Sequence, residues 1–131
     1  MSDLERAADV LLTWGVQERA GLRVVASSSQ VEPGVVVRQG FGRGPLMLWA
    51  PCEVTDVHRA SGGAGFTYRT LAGHPEQGHE TFALNLDPDG RLWFRVTAVS
   101  RPGTWLTVVG LPVMRLVQRR IIGRYLRAFA S

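Results

Sequence analysis

The stretch GFTYRTLAGHPEQGHETFALNL, residues 65–86, sets two β-type runs on either side of a turn-rich middle. Phe66 and Tyr68 alternate in the first run, and Glu80, Phe82, Leu84 and Leu86 alternate in the second. Each run therefore has an apolar face at the two-residue period of a strand. Between them AGHPEQG, residues 72–78, supplies Gly, Pro and polar side chains that reverse a chain, and HPEQG is the expected hairpin turn. Strands joined by so short a link are antiparallel neighbours. His79 alternates with Thr81, Ala83 and Asn85, so it faces away from the side that Glu80 shares with apolar residues.

The same pattern extends in both directions. LRVVAS, VVVRQGF, LMLWAPCEVTDV and RLWFRVTAVS read as further strands, separated by turns at EPG (32–34), RASGG (59–63) and DPDG (87–90). Ser2 and Glu5 form a capping box ahead of Leu4, Ala8, Leu11, Leu12 and Val16 at helical spacing, with Gly15 near the expected stop. From Pro112 to Ala130 a second helix is predicted. Val113, Met114, Val117, Ile121, Ile122, Tyr125, Ala128 and Phe129 cover one half of it, and Arg115, Arg119, Arg120, Arg124 and Arg127 the other. The order of elements predicts an α+β fold, with helices on one face of a curved antiparallel sheet wrapped on a long C-terminal helix.

A length of 131 residues fits a single domain over residues 1–131. With 45% apolar and 20% charged residues the chain has the composition of a folded globular protein. No apolar run reaches the roughly 20 residues of a membrane span, and the start lacks a secretory leader, so the expected location is the cytoplasm. One cysteine, Cys52, makes no internal disulfide and reads as a small buried hydrophobe. The net charge is +4, and all 15 basic residues are Arg. Arg pairs with carboxylates and phosphates through two parallel bonds, but these arginines are spread from Arg6 to Arg127 rather than gathered in one block.

Three segments, GPLMLWAPCEV (44–54), GFTYRTLAGHPEQGHETF (65–82) and SRPGTWL with GLPVMRLVQRRIIGRYLRA (100–128), resemble the family catalogued as domain of unknown function 1990, in the birch-pollen-allergen and START-like superfamily. The resemblance implies the helix-grip fold and a habit of binding apolar small molecules between sheet and helix. It implies no activity. Members of the family begin with an Arg-rich strand before the first helix, whereas this chain starts at the helix. The expected consequence is an unpaired sheet edge, covered by a second copy in a homodimer unless the domain starts further upstream. The family carries Glu where this chain has His79, which makes His79 a poor candidate for a shared function.

Glu80 is the most informative polar residue. A carboxylate among apolar side chains must be paired, hydrogen-bonded or protonated, and Arg69 or Arg101 is its expected ionic partner. The alternatives at this motif are a structural hairpin, in which His74 and Glu76 bond the backbone, and an acid/base pair of Glu80 and His74 at a cavity mouth. A metal centre is not expected, because His79 and Glu80 point to opposite faces. The candidate ligand-binding residues are Trp49, Phe66, Tyr68, Glu80, Phe82, Phe94, Arg101 and Trp105. They would make an apolar pocket with few polar groups, Trp49 and Trp105 serving as wall or lid. Trp93 falls on the other face with Arg95, Thr97 and Arg101.

These features predict a binding module for an apolar or amphipathic small molecule, without a cofactor. Two alternatives are a cyclase, dehydratase or hydrolase working in the same cavity, and nucleic-acid binding through the Arg half of the last helix. The enzyme lacks a nucleophile motif or phosphate loop to support it. The nucleic-acid reading lacks a recognised motif, since a helix over a sheet needs a solvated outer half in any case.

Overall fold

The helix that opens the chain starts where the capping box places it. In a computed structural model, which describes residues 2–74, 76–102 and 129, with backbone only at 76 and 100–102, α1 runs Asp3–Leu11. The Ser2 hydroxyl accepts the Glu5 amide at 3.1 Å, satisfying one of the amides that a helix leaves open at its start. Leu4, Ala7, Ala8 and Leu11 are buried. The helix ends at Leu11, with Leu12 as its C-cap, short of the stop near Gly15 expected from the sequence. Trp14 takes the left-handed conformation (φ 65°), and Gly15 begins α2, Gly15–Arg19. A bulky residue rarely adopts that conformation. Here its indole is buried edge-on to Phe66, with ring centroids 5.7 Å apart, and donates to the Ser28 carbonyl at 3.1 Å. These contacts offset the backbone cost.

The expected strands follow as β1 (Arg23–Ala26), β2 (Val36–Phe41), β3 (Leu48–Ala60), β4 (Gly63–Thr70), β5 (Glu76–Leu86) and β6 (Leu92–Pro102). They form one curved antiparallel sheet in the order β1-β2-β3-β4-β5-β6, a meander in which every strand pairs with its neighbour in sequence. Among the described residues β1 and β6 are its edges. The turn before β5 is shorter than the sequence suggests. Gly73 supplies a positive φ of 92°, and Glu76, Gln77 and Gly78 already pair with Pro102, Arg101 and Ser100.

Alternation divides the sheet into two faces. Val37, Cys52, Val54, Phe66, Tyr68, Phe82 and Leu84 point to the inner face and are buried, and α1 packs there across β4 and β5. A bulge at Thr55 shifts the β3–β4 register between Val54 and Asp56. The shift moves Val57 onto the inner phase opposite Phe66, so a 13-residue strand keeps apolar residues inward on both sides of the irregularity. Phe66 and Phe82 stack with centroids 5.0 Å apart, and Trp14 and Tyr68 meet them edge-on. Arg59 on β3 bridges to Asp9 on α1 at 2.8 Å, an exposed pair of small energetic weight. The predicted helix from Pro112 to Ala130 lies outside the described residues except for Phe129. That ring packs edge-on against Phe94 with centroids 4.8 Å apart.

Candidate functional site

The β4–β5 register places Tyr68 opposite Glu80 on the inner face. The Tyr68 hydroxyl donates to Glu80 Oε1 at 2.7 Å, a length typical of a bond to a carboxylate. Two further polar groups extend this contact across the sheet. Gln39 on β2 lies with Oε1 3.4 Å from the Tyr68 hydroxyl and Nε2 4.0 Å from Cys52 Sγ. A hydroxyl has one proton, and the closer carboxylate takes it. Gln39 thus spans the face between Tyr68 and Cys52, its Nε2 donating toward the Cys52 sulfur.

Burial grades along this chain. Cys52, Tyr68 and Gln39 are 0%, 4% and 5% exposed, whereas Glu80 is half-buried. The carboxylate is thus the outward end of a polar strip set in an apolar face. Burial, and then the charge of Glu80, push the Cys52 thiol up to about 12. It remains protonated at neutral pH and is unsuited to nucleophilic work. Beside it Thr70, opposite Cys52, accepts the Gly78 amide at 3.0 Å and holds the start of β5 to β4.

Five of the candidate ligand residues share the inner face: Phe66, Tyr68, Glu80, Phe82 and Phe94. Trp49 does not. It is opposite Gly40 on the outer face, where a side chain at residue 40 would come within 2.9 Å of the indole, and the Arg38 guanidinium stacks 4.6 Å from its ring. Arg69 is also displaced from its expected role. It alternates against Tyr68, and its Nε and Nη2 reach Glu53 Oε1 on the outer face at 3.0 and 2.5 Å. His74 sits in the turn after β4, its amide donating to the Leu71 carbonyl at 3.1 Å. Arg101 pairs with Gln77 through its backbone, and its side chain and all of Trp105 lie outside the described residues. Among the described residues no three His, Cys, Asp or Glu side chains gather as a metal ion would require.

Gln39 and Cys52 were missed as members of the site, although alternation from Val37 and from Val54 places both inward. Gln17 was missed without such a signal. Its side chain is fully buried, and among the described residues neither amide atom has a hydrogen-bond partner.

One antiparallel sheet with α-helices on a single face, and a polar strip set into that covered face, defines an α+β domain. The chain belongs to the family described as Domain of unknown function (DUF1990), whose family model matches residues 1–128. It is similar to UPF0548 proteins from three distant sources. Identity is 36% over 55 residues with one from Arabidopsis thaliana (42% of this chain, 27% of the relative) and 34% over 65 residues with one from Dictyostelium discoideum (44% and 30%). It is 38% over 63 residues with one from Deinococcus radiodurans (48% and 32%). Each match spans less than a third of the relative's own length. No solved structure matches the chain.

Proposed function

We propose that the domain binds an apolar or amphipathic small molecule between the inner face of the sheet and the C-terminal segment, in a helix-grip (START-like) arrangement. The observation that carries this reading is the Tyr68–Glu80 hydrogen bond, a fixed polar pair with a half-buried carboxylate amid Phe66, Phe82 and Phe94. Pockets for such ligands combine a mainly apolar lining with a few oriented polar groups. Phe129 against Phe94 supports a C-terminal cover over the same face. Trp49 is left out of the proposed lining, and Arg101 and Trp105 stay in it as proposed members. The proposal places the domain in the cytoplasm and leaves a β-edge to pair with a second copy. No helix among the described residues is long and apolar enough to cross a membrane.

Binding is preferred to catalysis because the one thiol at the strip is held protonated. An enzyme in the same cavity would rely on Glu80 and His74 alone, and nucleic-acid binding would rest on the Arg residues beyond residue 102. Native mass spectrometry of purified protein, with solvent extraction of any bound molecule, tests the proposal. A copurifying apolar molecule is expected, retained less well by Tyr68→Phe. A protein free of adducts that also fails to bind an apolar fluorescent probe in its folded state would refute it.

A further inference from the structure

The link between β2 and β3 is built to hold an apolar side chain out in solvent. Gly42 turns the chain at φ 111°, where a Cβ would lie 2.5 Å from the Leu46 carbonyl oxygen, so a side chain at this position is excluded on two counts. Gly44–Leu46 then form a 3₁₀ turn stiffened by Pro45. Residues 42–46 are all exposed, and Leu46 is the extreme at 84%, followed by Leu48 at 36%. A single exposed leucine is ordinary. This one is distinguished by its surroundings.

Arg43 is in the turn itself, Arg38 stacks on Trp49, and Arg23 pairs with Gly40 at the same end of the sheet. From residue 20 to residue 52 the only carboxylate is Glu32, in the link at the opposite end of β1 and β2. The next, Glu53, is engaged by Arg69. The tip therefore combines a projecting apolar group, a half-buried tryptophan and three guanidinium groups.

We propose that this β2–β3 tip docks on an anionic lipid surface, with Leu46 and Leu48 entering the headgroup boundary and Arg23, Arg38 and Arg43 meeting lipid phosphates. The partner follows from shape and charge. A protruding turn offers no concavity to hold a peptide, whereas interfacial insertion requires only an exposed apolar group beside cationic ones. Arginine suits phosphate in particular because its fork of donors matches the oxygens. The inference stands whether or not the inner face carries a ligand.

The test is cosedimentation of the whole chain with vesicles of mixed phosphatidylcholine and phosphatidylglycerol, against phosphatidylcholine alone, at low and high salt. The expected result is partitioning to the anionic vesicles that weakens with salt. Leu46→Asp, at a largely exposed position, should lower it about tenfold or more, and Arg43→Gln about fivefold. Arg95→Gln, exposed on β6 three strands away, should leave it unchanged. Equal partitioning to neutral vesicles, wild-type partitioning by Leu46→Asp and Arg43→Gln, or an equal loss with Arg95→Gln would each overturn the proposal.

Discussion

Replacing Gln17 by methionine should stabilise this protein. The side chain is 0% exposed, and its amide oxygen and amide nitrogen are both without partners among the described residues. Leaving a buried polar group unpaired costs about 1–3 kcal/mol. Methionine keeps the length and approximate volume of glutamine and removes both groups at once. Imperfect fit after a volume-conserving exchange takes back up to about 1.5 kcal/mol, so with two such groups removed the net gain expected is at least about 0.5 kcal/mol. For 131 residues the unfolding entropy is on the order of 0.27 kcal/mol/K, so each kcal/mol raises Tm by about 4 °C. Urea denaturation is the direct assay, with an increased midpoint at unchanged slope. Gln17→Ala is the contrast, because it removes the amide but opens a cavity. A Gln17→Met variant that is less stable than wild type, at equal slope, would refute the reasoning and imply that the amide has a partner in solution.

Three other outcomes are expected. Because the folded thiol of Cys52 holds its proton to about 12 rather than the ordinary 9.0, the folded state binds more protons in that window. Its stabilising effect is therefore complete below pH 9 and is lost by up to about 1.4 kcal/mol per pH unit above it; urea midpoints on either side of pH 9 should show this slope in wild type and not in Cys52→Ala. Phe66→Ala empties the centre of the Trp14–Phe66–Phe82 cluster and should cost about 3–5 kcal/mol by the same denaturation. The indole N–H of Trp93 and then the Arg91 amide hold the Asp87 carboxyl below its usual range, so the contact is present at neutral pH and is lost as pH falls through that lowered value. Tryptophan emission should report an acid transition that Asp87→Ala abolishes.

Strand existence and face were legible because they depend on local alternation. Phe66, Tyr68, Glu80, Phe82 and Phe94 were assigned to one side by period alone, and the sheet confirms it. Partners across strands were less legible. Arg69 is not the partner of Glu80: a strand sends adjacent residues to opposite faces, and Glu53 on β3 meets Arg69 on the outer one. Size and aromaticity favour Trp49 as a pocket wall, but its phase against Cys52 and Val54 puts it on the outer face. The helix stop could not be read in the same way. Gly15 has the local preference for the left-handed conformation, and Trp14 takes it because of tertiary contacts with Phe66 and Ser28. Gln17 is a similar case, since a glutamine in a short polar segment gives no sign that packing will enclose it.

The strict meander order has a consequence for how the chain forms during synthesis. Each strand from β2 onward finds its hydrogen-bonding partner in the strand made just before it, so pairing can advance from the N-terminal side at the pace of the ribosome without waiting for a distant segment. Helix α1 is the exception. It is made first, but it packs on β4 and β5 and must keep Leu4, Ala8 and Leu11 uncovered until those strands have emerged. Until then its apolar stripe depends on protection from aggregation.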